Sequence, residues 1–410
     1  MSSSIGINKN RLFTASCMAL TVTSMTFAIR AGILGQLGVD FGLTDTQLGF
    51  VNSMAFLGFP LATIFGGLVY NTFGPRKLMM VAFISHILGL ALTIFAGDFW
   101  TLLISTFFIG FANGTVEAAC NPMIAGMYSG DQTAKLNRFH VWFPGGIVIG
   151  SLISKFMTDM DMGWQLQIAV MLIPTIAYGF LFMGQTFPSN ENAESNTANN
   201  IKSLLNPLFI FMVICMTLTA TTELGTQQWV EKILGSTGAS PMLILAMVTG
   251  LMAIGRFFAG PVIRRFNPAG VLWGSSILAA AAIYLMSMAT GGMVYLAAVL
   301  FAIGVMYFWP TMIGFVGEYL PKTGALGMSL IGGAGMFATS IWQPVIGGWL
   351  DSERTEAIAS GMTAEAAELA AGQATLGNIV YFPIVLIVLF GILFMNRKKL
   401  EEQRVPQEGH

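Results

Sequence analysis

The sequence predicts an all-α membrane protein of twelve transmembrane helices, arranged as two pseudo-symmetric six-helix halves. Three observations carry that prediction. Hydrophobic residue types make up 55% of the 410 residues, while Asp, Glu, Lys and Arg supply only 10%. A soluble domain carries about 25% charged residues, so these are too few to coat a globule of this size. The apolar residues fall in blocks separated by short polar interruptions, most of them longer than the roughly 20 residues that cross a bilayer as a helix. A turn sequence at the end of the second block recurs at the end of the eighth. With 19 basic and 20 acidic residues, the chain lacks the cationic surplus that a nucleic-acid partner would call for.

The twelve spans are expected at 13–38, 47–73, 78–97, 101–128, 137–156, 165–187, 206–233, 241–263, 269–290, 293–319, 325–350 and 373–396. The first is too long for a cleaved signal peptide, and no small-residue cleavage site follows it. Fourteen of the 19 basic residues, from Lys9 and Arg11 through to Lys399 and Arg404, fall on one face of this topology. The positive-inside rule then puts both termini in the cytoplasm of a multi-pass cell-membrane protein. The polar stretch around Pro188–Lys202 splits the spans six and six. The expected organisation is a bundle over 1–187, a cytoplasmic linker over 188–205, and a second bundle with a tail over 206–410. Outside span eleven, Thr363 to Gly372 reads as a short covering helix, capped by Thr363 and stopped by Gly372. Cys17, Cys120 and Cys215 all lie within spans, without metal-ligand spacing; no disulfide, metal or cofactor is expected, and the chain is expected to be monomeric.

Span two ends in GGLVYNTFGPRK (66–77) and span eight in AGPVIRRFNPAG (259–270). Aligned on Gly67 and Gly260, both run to a Phe, a turn residue and a Pro, so each half makes a tight turn between its second and third helices. Repeats of this kind mark secondary transporters, whose sites lie near the midplane. The first copy resembles the loop signature of the major facilitator superfamily. It departs from it at Asn71, Thr72 and Pro75 and keeps Gly74, Arg76 and Lys77; Arg264 and Arg265 are the basic residues of the second copy. Gly67, Gly74, Arg76, Arg264 and Arg265 are accordingly expected in structural or gating roles.

Four charges fall inside spans: Arg30, Glu117, Glu223 and Arg256. Each costs at least about 2.5 kcal/mol at membrane depth and so requires a reason. Glu117 and Glu223 lie roughly 24 Å along their helices, near the midplane. The superfamily resemblance implies that spans one, four, seven and ten line a central cavity, which would hold three of the four. A midplane carboxylic acid can load a proton on one side and release it on the other, so Glu117 and Glu223 are the proton-coupling candidates. The alternative for Glu117 is a permanent ion pair with Arg30. Arg256 is expected to be structural, snorkelling toward the nearby arginines or pairing with Glu318. Around these charges lie groups suited to a polar solute: Asn113 and Asn121, Gln227, Gln228 and Trp229, Phe308, Trp309 and Thr311, and Gln343. Amides donate and accept at once, and Trp offers a flat apolar face. His140 could relay a proton or contact substrate, while His86 is expected to be structural.

Several segments together are similar to the fucose permease (fucose–proton symporter) family. VEAACNP (116–122) resembles its Glu-Thr-Ala-Ala-Asn-Pro segment, KLN (135–137) its Arg-Leu-Asn, Gly255–Leu272 its Gly-Arg-Phe segment and FWPTM (308–312) its Tyr-Pro-Thr-Ile. The resemblance implies a proton-coupling role for Glu117. It breaks in span one, where the family carries an Asp and this chain reads Arg30, Ala31, Gly32, and in span five, where His140 and Phe143 replace amides. The leading expectation is a proton-coupled symporter for a monosaccharide or related small polar solute. Its rivals are a sugar-acid transporter with Arg30 as anion anchor and a non-transporting solute sensor. An enzyme would need a nucleophile–base pair or metal ligands, which three His do not supply.

Overall fold

The computed structural model describes residues 6–128, 132–188 and 202–403. Most of the expected linker (189–201) and Arg404 lie outside them. The described chain is helical nearly throughout and divides into two compact units, Met1–Glu194 and Ser195–His410. Among the described residues ten helices are long and apolar enough to cross a membrane. The bent pair Val230–Thr237 and Pro241–Phe257 supplies an eleventh. The twelfth is Gly324–Ala359, 36 residues long, its apolar run diluted by glycines, Gln343 and Pro344.

The first unit opens with Lys9–Phe41. Asn8 caps it by accepting from the Arg11 amide at 3.0 Å, and Gly42 ends it in the left-handed conformation at φ 60°. Thr44 and Gln47 then form a reciprocal capping box that starts Asp45–Ile94. Asp98 caps Phe99–Met127 through the Thr101 amide at 2.8 Å. That bond, a second from the Thr101 hydroxyl at 2.9 Å and one from the Trp100 amide hold the Asp98 carboxyl below its ordinary pKa. The fifth span is broken between Gln132–His140 and Trp142–Asp159, and the sixth between Trp164–Val170 and Leu172–Phe182. Pro144 and Pro174 explain both breaks, because neither can donate to the carbonyl four residues earlier, on His140 and Val170.

The second unit follows the same rule. Pro310 separates Gly292–Val305 from Phe308–Tyr319, and Pro383 separates Ala364–Ile379 from Tyr381–Met395. Its first helix differs. Pro207–Ala220 passes into a π-helical turn at Thr221–Gly225, then Thr226–Gln228, and breaks at Trp229. That break means the expected span 206–233 is not one helix; the short segment Val230–Thr237 then bends by 119° into Pro241–Phe257. The short cover expected at Thr363–Gly372 also differs. Thr363 caps it by accepting from Ala366, but the helix runs through Gly372 to Ile379. Gly372 is there for close approach: a Cβ would lie 2.3 Å from the Ile233 carbonyl oxygen.

The repeated turns share one backbone conformation. Gly74 has φ 72°, ψ 164° and Asn267, seven residues after Gly260 as Gly74 is after Gly67, has φ 53°, ψ 164°. Each precedes a proline, which fixes the next residue for helix entry. This region is almost exclusive to glycine and costs other residues about 1–3 kcal/mol. Asn267 offsets part of that cost by accepting from the Gly270 amide at 2.9 Å. Gly74→Ala should therefore lower stability by about 1–3 kcal/mol, read as a lower thermal unfolding midpoint in detergent. Asn267→Ala, which keeps the strain and loses the bond to Gly270, should lower it by about 0.5–1.5 kcal/mol, and Asn267→Gly, which loses the bond but relieves the strain, should change it little.

Candidate functional site

In the first unit, Glu117 and Asn121 stand one turn apart on Phe99–Met127 and face each other. The Asn121 Nδ2 donates to Glu117 Oε2 at 2.7 Å, and Asn121 Oδ1 lies 3.1 Å from His140 Nε2. Glu117 and Asn121 are half-buried and His140 is exposed, so an ionisable acid inside span four connects by two hydrogen bonds to a solvent-facing imidazole. The expected alternative, an ion pair between Glu117 and Arg30, is not what the carboxylate forms. Arg30 is 6% exposed, with its guanidinium 5.1 Å from the Phe27 ring and 5.5 Å from the Phe56 ring. Those two rings meet edge-on at 5.4 Å, presenting π-faces that stabilise a desolvated cation.

Asn113, expected among the substrate contacts, has both ends of its amide engaged elsewhere. It is fully buried, with Nδ2 donating to Thr26 Oγ1 at 2.9 Å and Oδ1 2.8 Å from His86 Nε2. The directions follow from one end. Thr26 gives its proton to the Thr23 carbonyl at 2.6 Å, so it can only accept from Asn113. That sets the amide, makes His86 Nε2 a donor, and leaves Nδ1 to accept from the Tyr178 hydroxyl at 2.9 Å. The chain ties spans one, three, four and six through neutral groups. Thr26 and Tyr178 carried no signal in sequence that would pair them with His86.

The second unit pairs its buried charges. Arg256 Nη2 lies 3.3 Å from Glu223 Oε1, and Arg256 Nε donates to the Met306 carbonyl at 2.9 Å. Arg256 was expected to snorkel or to meet Glu318; it binds Glu223 instead, and the geometry has a cause. Glu223 lies in the π-helical turn, which displaces its side chain from ordinary helical register. Pro310 cannot donate to Met306, so that carbonyl is left to the guanidinium. The spacing of Pro310 was the sequence signal for this partner.

The remaining expected contacts separate into two groups. Trp229 Nε1, Thr311 Oγ1 and both ends of the Gln343 amide are fully buried and have no hydrogen-bond partner. Leaving such groups unmet costs about 1–3 kcal/mol each, and a hydroxyl, donor and acceptor together, would satisfy any of them. Gln343 lies one turn before Ile346, which packs at Gly225 of the π turn, while the Trp309 ring lies against Gly332 and Gly335 of the same helix. Phe308 is buried against Phe390, and Gln227 reaches only the Met252 sulfur, at 3.6 Å; Gln228 is buried. Asn52 was not foreseen: its amide is fully buried and unmet at both ends. Each unit also encloses a small void, lined by Arg30, Ile33 and Leu37 in one and by Gln227, Val230 and Leu234 in the other. Gly67, Arg76, Arg264 and Arg265 are exposed around the two turns. Among the described residues no group of three His, Cys, Asp or Glu could hold a metal.

A polytopic helical protein with duplicated halves and acids inside its spans is the class that these features define. The chain belongs to the Major Facilitator Superfamily, whose family model matches residues 13–343. It is 24% identical over 173 residues to myo-inositol transporter 1 of Candida albicans, covering 40% of this chain and 31% of that protein. It is 27% identical over 146 residues to a D-xylose transporter of Levilactobacillus brevis, covering 35% and 31%. It is 23% identical over 168 residues to the cis,cis-muconate transport protein of Acinetobacter baylyi, covering 40% of each. The chain thus spans about a third of the length of the curated relatives it matches. Among solved structures, a bacterial homologue of the human lysosomal transporter Spinster aligns with a TM-score of 0.80 at 14% identity, over 97% of this chain and 98% of that one. A D-xylose–proton symporter aligns at 0.72 and 13% identity, over 90% and 97%. Both show the same fold.

The Glu223–Arg256 pair yields a stability prediction. Removing one member of a buried pair strands the other charge and costs about 3–5 kcal/mol. Arg256→Ala should therefore lower the thermal midpoint sharply. Adding Glu223→Gln to it should recover most of the loss, because the stranded carboxylate is gone.

Proposed function

We propose that this chain is a secondary transporter that takes up a monosaccharide or related small polar solute together with a proton, by alternating access. One observation carries the reading: the half-buried Glu117 carboxylate is held by an amide rather than by a counter-ion. Neutralising a carboxylate paired with arginine would strand the cation, whereas neutralising one held by Asn121 leaves no charge behind. Glu223, paired with Arg256, is the weaker coupling candidate on the same grounds. The unmet polar atoms of Trp229, Thr311 and Gln343 favour a polyhydroxy ligand. Two relatives named for myo-inositol and D-xylose transport point the same way. The resemblance of Val116–Pro122 to the fucose permease segment supports the same role for Glu117. The distribution of Lys and Arg supports a cell-membrane protein with both termini cytoplasmic, working as a monomer.

In proteoliposomes, a pH gradient should drive accumulation of the solute. Glu117→Gln should abolish accumulation, by roughly 100-fold in rate if the acid is essential, while leaving equilibrium exchange measurable. Gradient-driven accumulation that survives Glu117→Gln defeats the coupling role. A folded protein that binds solute and moves none would be the sensor.

A second reading makes the solute a sugar acid or other organic anion. It is favoured by Arg30, a buried cation inside span one beside two aromatic rings, and by the relative named for muconate transport. A charge-assisted hydrogen bond to a carboxylate would add roughly 1.5–3 kcal/mol. Arg30→Met should then weaken anion binding on the order of 10- to 100-fold and leave neutral sugars unaffected, measured by thermal shift over both classes. Equal binding by both proteins removes the anion reading.

A further inference from the structure

We propose that His140 is a positioning residue for Glu117, setting through Asn121 how readily that carboxyl takes its proton. The inference rests on the reading of Glu117 as the proton-coupling acid and adds a residue that acts on it from outside span four.

The hydrogen-bond pattern dictates the logic. An ionised carboxylate can only accept. Asn121 must therefore turn its NH2 to Glu117, across 2.7 Å. The Asn121 carbonyl oxygen then faces His140 Nε2 at 3.1 Å, and since it can only accept, Nε2 must carry a hydrogen. Two forms of His140 meet that demand, the neutral Nε2–H tautomer and the imidazolium. A protonated Glu117 gains a donor of its own, which finds an acceptor in Asn121 only if the amide turns over. The amide NH2 then faces Nε2, which must be bare, so neutral His140 has to move its hydrogen to Nδ1. The imidazolium cannot comply. No proton passes along the amide; what passes is a requirement on orientation. His140 in its Nε2–H or charged form therefore favours the ionised Glu117.

The placement suits this task. His140 is exposed and is the last residue of Gln132–His140. Pro144 cannot donate to its carbonyl, so the backbone there is not locked into the following helix. The other ionisable groups around the pair are Lys135 and Arg138 on the same helix, Cys120 and Tyr128 on span four, Lys9 and Cys17 on span one and Tyr70 on span two. These are three cations, two thiols and two phenols. None has an ordinary pKa between those of a glutamate and a histidine, about 4.3 and 6.5.

The test needs no knowledge of the solute. Infrared spectra of the purified protein in liposomes, recorded as a function of pH, report the C=O stretch of protonated carboxyls. The Glu117 band is the one lost in Glu117→Gln. Removing the donor to the carboxylate should raise its midpoint by about one pH unit in Asn121→Leu. Removing the group that orients the donor should raise it in the same direction in His140→Phe and His140→Ala, two replacements that guard against one failing to fold. His140→Gln, whose amide can donate from the place of Nε2, should titrate as the wild type does. A wild-type midpoint in His140→Phe or His140→Ala, with Asn121→Leu shifted, overturns the role of His140 and leaves the coupling proposal standing. If no band disappears in Glu117→Gln, Glu117 takes no proton, and the coupling proposal itself fails.

Discussion

Inside a bilayer every backbone amide and carbonyl must find a partner within the protein, because no water is present to supply one. That constraint explains why the described chain is helical almost throughout, and it also explains where the helices stop. Breaks fall after His140, Val170, Val305 and Ile379, each at or beside the carbonyl left without a donor by the proline that follows at 144, 174, 310 or 383. Two of the four are consequential for chemistry. The carbonyl freed at Met306 accepts from Arg256, and the break at Val141 gives His140 its position at a helix end. Proline in these spans does more than bend a helix; it releases backbone polarity that side chains then use.

The two units answer the problem of a buried acid in different ways. The second unit pairs Glu223 with Arg256 and fastens the arginine to Met306 as well, so both charges are compensated in place. The first unit separates its charges: Arg30 lies beside two aromatic rings, and Glu117 is held by an uncharged amide. A carboxylate in the former setting strands its arginine when it loses its charge. One in the latter can change its charge without stranding a partner, which is what coupling to a proton requires. Duplication of the fold has thus kept the turns while the charges diverged.

Much of this was legible in the sequence. Hydropathy blocks located the spans, and the alignment of Gly67 with Gly260 marked a tight turn at the same place in each half, where Gly74 and Asn267 share one backbone conformation before a proline. The unusual charges were also visible, since burial makes each of them costly. What the sequence did not show were partners. Arg256 meets Glu223 across 33 residues and Asn113 meets His86 across 27, contacts that depend on helix rotation. A π-helical turn resets that rotation at Glu223 and leaves no mark in hydropathy. The proline spacing that frees Met306 was in plain view, but its use required knowing which guanidinium lay opposite.

Gly372 shows why a local signal can mislead. Glycine after a capped, polar segment is ordinarily a helix stop, yet here the backbone continues because the residue is needed for contact with Ile233. That contact holds the short segment beyond Trp229, which itself turns by 119° into Pro241–Phe257. Trp229, with its buried and unmet N–H, sits at the break between the π-turn helix that carries Glu223 and a segment packed on Gly372. A ligand bonding that N–H would act at the joint of the helix itself.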